Sequence, residues 1–337
     1  MHGGVRDETL IDFSISVNPF VPSFLKELEK KVQRYVKRYN YAEWLEQDFR
    51  KFFGDDAVIV AGATEALHIF GWTVFKGATV IIPRPAYSEY ERVAKFTASK
   101  VLTPWILEEG QLNLDILRGV IYSEVLRGEK IFVLLGNPNN PTGIYKPLAL
   151  FIQHIAEELD NQVEFIIDEA FIDFVPQLER EELSTSCLSN LTLVRTFTKI
   201  LGLPGIRVGY VTGSLSKLVE HYRMPWAIGA DGFALIEQIL ENYESFKTFL
   251  KESASFFETQ RAMFSKFACF NSKTNYFVLS VGDVDKFLTE AHAKRMHFRR
   301  MEDFGLPECV RVGLKDEVTN SKLMEFLECY YSNRTLC

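Results

Sequence analysis

Lys199 follows two hydroxyl residues, Thr196 and Thr198, and stands eight positions before an arginine, in "VRTFTKILGLPGIRVGY" (194–210). A lysine in a partly dry pocket among other cations has a lowered pKa and can form an imine with a carbonyl compound. Thr196, Thr198 and Arg207 would supply donors to a phosphate. Asp168 ends the apolar run "FIIDEAF" (165–171), where a carboxylate must be paired to offset the cost of burial. An aromatic nitrogen cation is a suitable partner; a helix cap or a structural ion pair would also satisfy it. "GNPNNPTG" (136–143) ends another apolar run, and Asn140 before Pro141 can point a donor at a ligand from an extended loop. "GATEA" (62–66) has the form of a strand end opening into a helix, whose N-terminus suits a phosphate as well as it suits any ordinary helix start. An imine lysine, a strand-end aspartate and a phosphate cradle together describe a pyridoxal phosphate site.

These residues need strands to carry them. "AVIVAG" (57–62), "ATVIIP" (78–83), "KIFVLLGNP" (130–138), "VEFIIDEAF" (163–171) and "LTLVRTF" (191–197) are short and apolar on both faces, as strands of a covered parallel sheet are. Helical patterns lie between them at 64–75, 88–98 and 148–160. The alternation predicts an α/β domain, with ligands outside the carboxyl ends of its strands. The remainder reads as a smaller α+β domain, joined by a long bridging helix over 242–267. The expected division is a large domain over 30–240 and a small one built from 1–29 and 241–337.

The 337 residues carry a net charge of −7, which argues against a general nucleic-acid or acidic-membrane binder. There is no apolar run of membrane-spanning length, and "MHGGVRDETLIDFS" has no signal-peptide pattern. Cys187, Cys269, Cys309, Cys329 and Cys337 are odd in number and lack CxxC spacing, which predicts reduced thiols in a cytoplasmic protein and no metal framework.

From "DFSISVNPF" to "VRVGLK" the chain resembles the fold-type I pyridoxal phosphate enzymes of the aspartate aminotransferase superfamily. The resemblance implies that Lys199 carries the cofactor and Asp168 pairs with its ring nitrogen. Asn140 then faces the phenolic oxygen and Tyr87, in "RPAYSEY", stacks on the ring. Ala63, Thr64, Thr196, Thr198 and Arg207 surround the phosphate. Tyr39, in "RYNYAEW", reaches the phosphate of a neighbouring subunit, implying a homodimer. Arg311, in "CVRVGLK", clamps the substrate carboxylate.

Two families share this pattern: threonine-phosphate decarboxylases of cobalamin biosynthesis and histidinol-phosphate aminotransferases. The opening "HGG" (2–4), Phe171 where the aminotransferases usually carry tyrosine, and "MPW" (224–226) resemble the decarboxylases. That resemblance places His2, Asn18 and Arg299 around a substrate phosphate, and makes the substrate a small phosphorylated amino acid. Two departures stand out. Gly229 replaces an expected asparagine, and "EDFGLPE" (302–308) is a reduced form of the usual Asn-Tyr-Pro-Gly turn. A non-catalytic protein on the same fold is the remaining class, and the presence of both Lys199 and Asp168 argues against it.

Overall fold

The computed structural model describes residues 3–128, 130–160, 162–181, 183, 185 and 188–332. His2 lies outside them. A seven-stranded sheet forms the centre. Its strands are β1 (Val58–Val60), β2 (Thr79–Ile81), β3 (Lys100–Leu102), β4 (Ile131–Gly136), β5 (Val163–Asp168), β6 (Leu191–Thr196) and β7 (Gly209–Gly213). Their spatial order is β1-β7-β6-β5-β4-β2-β3. The pairs β2–β3, β2–β4, β4–β5 and β5–β6 are parallel, while β7 runs antiparallel to both β6 and β1. The fold is thus α/β with a mainly parallel sheet.

Every residue of β4 is buried, as is all of β5 except Glu164. Their Val, Ile, Leu and Phe side chains feed apolar clusters on the two faces of the sheet, which explains the absence of polar alternation. The five expected strands are present. β3 and β7 were not anticipated, being a short half-buried edge and a segment that begins within the lysine stretch. The reversal of β7 has a consequence for the site: its first residues, not its last, lie at the carboxyl edge of the other strands.

Helix α1 (Ala63–Trp72) follows β1 and α2 (Ser88–Ala94) follows β2. Both stop short of the expected 75 and 98, because turns at Thr73–Gly77 and Lys95–Thr97 bring the chain back to the sheet. The long helix α3 (Tyr243–Phe264) fills the span expected of the bridging helix. Beyond it, β8 (Tyr276–Ser280), β9 (Arg299–Arg300) and β10 (Cys309–Gly313) form an antiparallel sheet with β10 in the middle. The N-terminal stretch docks beside it. Phe13 donates its N–H to His297, accepts from Gly313, and stacks on Phe298. Among the described residues no helix is long and apolar enough to cross a membrane.

Candidate active site

Val60 at the end of β1 and Thr196 at the end of β6 both pair with Gly209, the first residue of β7. Three chain segments therefore meet at one edge, and the start of α1 sits against them. The contact is close enough that a Cβ on Gly209 would stand 2.3 Å from the Arg195 carbonyl and 3.2 Å from the Ala63 nitrogen. Arg207, two residues before β7, reaches back over this junction. Its Nη1 donates to Thr198 Oγ1 at 3.4 Å and its Nη2 to Thr64 Oγ1 at 3.5 Å. Thr196 Oγ1 donates to Thr198 Oγ1 at 2.9 Å. Gly62 lets this happen: its φ is +77°, and a Cβ there would meet Arg207 Nη2 at 2.9 Å. Three hydroxyls, a guanidinium and a helix N-terminus thus converge on one cup, a combination suited to a phosphate.

Lys199 follows directly. Burial lowers its pKa to about 8, and Arg311 and Arg207 push in the same direction. Its Nζ lies 5.8 Å from the centre of the Phe171 ring. The turn that presents it is pinned from behind by Asn18, whose backbone N–H donates to the Lys199 carbonyl at 2.9 Å. The Asn18 side chain donates to the Ile200 carbonyl and to Ser253 Oγ, both at 2.9 Å.

Asp168, 7% exposed, closes β5 opposite Gly136 of β4. Its Oδ2 accepts from the Tyr90 hydroxyl at 2.8 Å and its Oδ1 from the Ala170 N–H at 3.0 Å. Burial raises its pKa, and these two bonds oppose the rise. Tyr87 caps the start of α2, its ring perpendicular to that of Tyr90 at 5.5 Å.

Arg311 enters from β10. Its Nη1 donates to Asn140 Oδ1 at 2.8 Å and its Nη2 to the Ser14 carbonyl at 3.2 Å, with the guanidinium 5.0 Å from the centre of the Tyr276 ring. Its buried Nε has no partner among the described residues. The neighbouring Asn139 is spent on the loop itself, donating to the Pro85 carbonyl and accepting from Thr142. Arg299 stands opposite Arg311 across the β9–β10 pair.

One cavity of about 320 Å³ brings most of these groups together. Ala63, Thr64, Tyr87, Asn140, Asp168 and Lys199 line it, as do Thr196, Thr198, Arg207, Arg299 and Arg311. Asn18 is not in the lining: its side chain holds the lysine turn, so the structure does not bring it to the cavity. Tyr39 is not there either. It is 67% exposed and packs on Trp226 at 4.7 Å. Met224 and Trp226 are likewise outside the lining, so "MPW" belongs to that aromatic surface rather than to the cavity. Gly229 precedes the helix Ala230–Glu241 and is also outside it. Sequence reasoning missed Tyr90, Tyr276 and Glu65. Glu65 accepts from the Ala61 N–H at 2.6 Å and from Met224 at 3.3 Å. Tyr90 carried no local signal of its own: Tyr87 is the extended residue before α2, and which aromatic of that helix reaches Asp168 depends on how α2 packs on the sheet.

The donor set fits pyridoxal phosphate. The cup left open by Gly62 suits its phosphate, the buried carboxylate suits a ring cation, and a lysine with a pKa near 8 has a neutral fraction for an imine. Residues 10–328 match the family described as aminotransferase class I and II, and the chain belongs to that family. A provisionally named threonine-phosphate decarboxylase of Caldanaerobacter subterraneus subsp. tengcongensis is 29% identical over 340 residues, covering 94% of this chain and 89% of the relative. A histidinol-phosphate aminotransferase of Pelodictyon phaeoclathratiforme is 28% identical over 336 residues, covering 94% and 91%. The crystal structure of histidinol-phosphate aminotransferase from Sinorhizobium meliloti, in complex with pyridoxal-5'-phosphate, shares the fold with a TM-score of 0.78 at 19% identity, covering 96% and 90%. The protein is a pyridoxal phosphate enzyme of this aminotransferase-like family.

Proposed function

We propose that the enzyme decarboxylates L-threonine O-3-phosphate, giving CO2 and (R)-1-aminopropan-2-yl phosphate for cobalamin biosynthesis. The observation that carries the reading is the pair Arg299 and Arg311, opposed on adjacent strands in the wall that also holds Lys199. Two guanidinium groups suit a substrate with two anionic groups, a carboxylate and a phosphate. Histidinol phosphate has a phosphate and no carboxylate, although its amino acceptor 2-oxoglutarate is a dicarboxylate that the same pair would suit, so the likeness to the decarboxylase carries the choice between them. The phenyl ring of Phe171 supports the same choice.

Arg207, Thr64 and Thr198 would hold the cofactor's phosphate, with Thr196 and Ala63 completing the cup. Asp168 would keep a proton on the ring nitrogen, Tyr87 would pack on the ring and Asn140 would donate to the phenolic oxygen. Bound pyridoxal phosphate supplies the sink for the electron pair released when a bond to the substrate Cα breaks. Arg311, itself held by Asn140, grips the carboxylate and sets which bond that is. Arg299 would hold the substrate phosphate; the resemblance also names His2, which lies outside the described residues, for that role. After CO2 leaves, Lys199 delivers the proton to Cα.

The reading extends to assembly. Two copies pair so that Tyr39 of one reaches the other's cofactor phosphate, and the exposed rings of Tyr39, Tyr41, Trp44 and Trp226 support such a face. The division into a large domain (30–240) and a small one (1–29 with 241–337), and a cytoplasmic location, belong to the same proposal.

Histidinol-phosphate amino transfer is the second reading, favoured by the 28% identity to that enzyme over 94% of the chain. Incubation with L-threonine O-3-phosphate and no keto acid should release CO2. Amino transfer from histidinol phosphate to 2-oxoglutarate, with no CO2 from threonine phosphate, would make the second reading correct.

A further inference from the structure

Arg299 and Arg311 are directly opposed in the β9–β10 register. Like charges at opposed positions of an antiparallel pair destabilise it. Arg311 registers the effect: burial lowers its pKa, and Arg299 lowers it further. A carboxylate offsets the repulsion. Asp303, four residues past Arg299, accepts from Arg299 Nη2, while Nη1 donates to the Arg300 carbonyl at 2.6 Å. The Asp303 charge also acts on Arg311, pushing its pKa up.

The turn that carries Asp303 is well held. Arg84 donates to the Asp303 carbonyl at 3.0 Å, Gly305 closes the turn at a φ of +82°, and Phe304 packs 5.3 Å from the Arg299 guanidinium. This is the reduced turn over 302–308, so the carboxylate comes with a local departure from the resembled pattern. The Arg299 guanidinium therefore meets any substrate with part of its charge already compensated.

We propose that Asp303 is a specificity-determining residue, a built-in counter-anion of the Arg299–Arg311 pair against which a dianionic substrate group must compete. The proposal rests on the reading of Arg299 as a phosphate ligand. It makes two predictions of opposite sign for Asp303→Asn, which keeps the shape and an acceptor but removes the charge. The unliganded holoenzyme becomes less stable, because the arginines lose their counter-charge. A dianion binds more tightly, because a like charge has left its surroundings.

The test mixes wild-type, Asp303→Asn and Arg299→Gln holoenzymes rapidly with L-threonine O-3-phosphate or L-threonine at increasing concentration, taking affinity from the initial change in the absorption band of the bound cofactor, before turnover. A parallel arm measures how far inorganic phosphate raises the melting temperature of each holoenzyme. Asp303→Asn should bind threonine phosphate about tenfold more tightly at low salt, with the gain shrinking as ionic strength rises. Threonine should gain much less, and Arg299→Gln should bind threonine phosphate about tenfold more weakly. Inorganic phosphate should stabilise Asp303→Asn more than the wild type. Weaker or unchanged binding of both phosphates in Asp303→Asn would overturn the proposal and leave Asp303 as a tether for Arg299. Absence of CO2 from threonine phosphate would count against the proposed reaction alone, since the inorganic-phosphate arm reads Asp303 independently of turnover.

Discussion

The Tyr90 hydroxyl donates to Oδ2 of Asp168 at 2.8 Å, beside Gly136 of β4. A Cβ on Gly136 would stand 3.0 Å from that hydroxyl. The glycine at the end of β4 leaves room for the phenol from α2 beside the end of β5.

This bond lowers a carboxyl pKa that burial raises. Tyr90→Phe removes the donor and lets the Asp168 pKa rise further, so a smaller fraction stays anionic beneath the cofactor. A hydrogen bond to a charged group contributes about 1.5–3 kcal/mol. Cofactor affinity should fall by roughly ten- to a hundredfold, measured by titrating the apoprotein and following absorbance. Asp168→Asn should lower kcat by more than Tyr90→Phe does. Equal affinity in wild type and Tyr90→Phe would show that the phenol only packs.

Lys199 makes a pH prediction. Its pKa is lowered from 10.5 to about 8 in the folded protein. Below about 8 it is protonated in both folded and unfolded states, and the folded state carries the full cost of a buried cation. As pH rises from about 8 towards 10.5 the unfolded chain binds more protons, so stability rises across that window. Apoprotein stability by denaturant titration should follow this slope, and Lys199→Met should flatten it. The neutral amine is also the form that makes an imine, so the rate of cofactor uptake should climb through pH about 8. Lys199→Ala should retain the fold and lose turnover.

Asn18 is a test of indirect support. Its side chain bridges the Ile200 carbonyl and Ser253 at the back of the lysine turn. Gly202 in that turn lies so close that a Cβ would stand 2.3 Å from the Asn18 carbonyl. Asn18→Ala should cost about 1–3 kcal/mol of stability, since buried partners lose their bonds. The loss should appear in denaturation midpoints and in kcat. A raised KM for substrate phosphate with unchanged stability would restore the ligand role first expected of it.

Arg311→Lys keeps the charge and loses the planar fork that bonds Asn140 and the Ser14 carbonyl. kcat/KM should fall by roughly ten- to a hundredfold, the value of one lost charged hydrogen bond. Steady-state kinetics with and without the phosphorylated substrate group would show whether the loss is confined to carboxylate recognition.

Local pattern determined a good deal here. Short runs of Val, Ile, Leu and Phe with no polar alternation, set between helical patterns, read as covered strands, and the polar residues ending them fall at the carboxyl edge of the sheet. Lys199, Asp168, Asn140, Thr196 and Thr198 were legible for that reason, since each sits within a few residues of such a run. Arg207 was legible as a nearby cation, but its position at the cup depended on β7 running against its neighbours, which periodicity does not encode. Long-range pairing decided the rest. Asn18 meets the lysine turn across some 180 residues of chain, and its environment turned a candidate ligand into a support. Tyr90 looked like one more helical aromatic until β4 and β5 placed Gly136 beside Asp168. The opposition of Arg299 and Arg311 is a matter of strand register, and register is set by the packing of whole strands, which no local stretch contains.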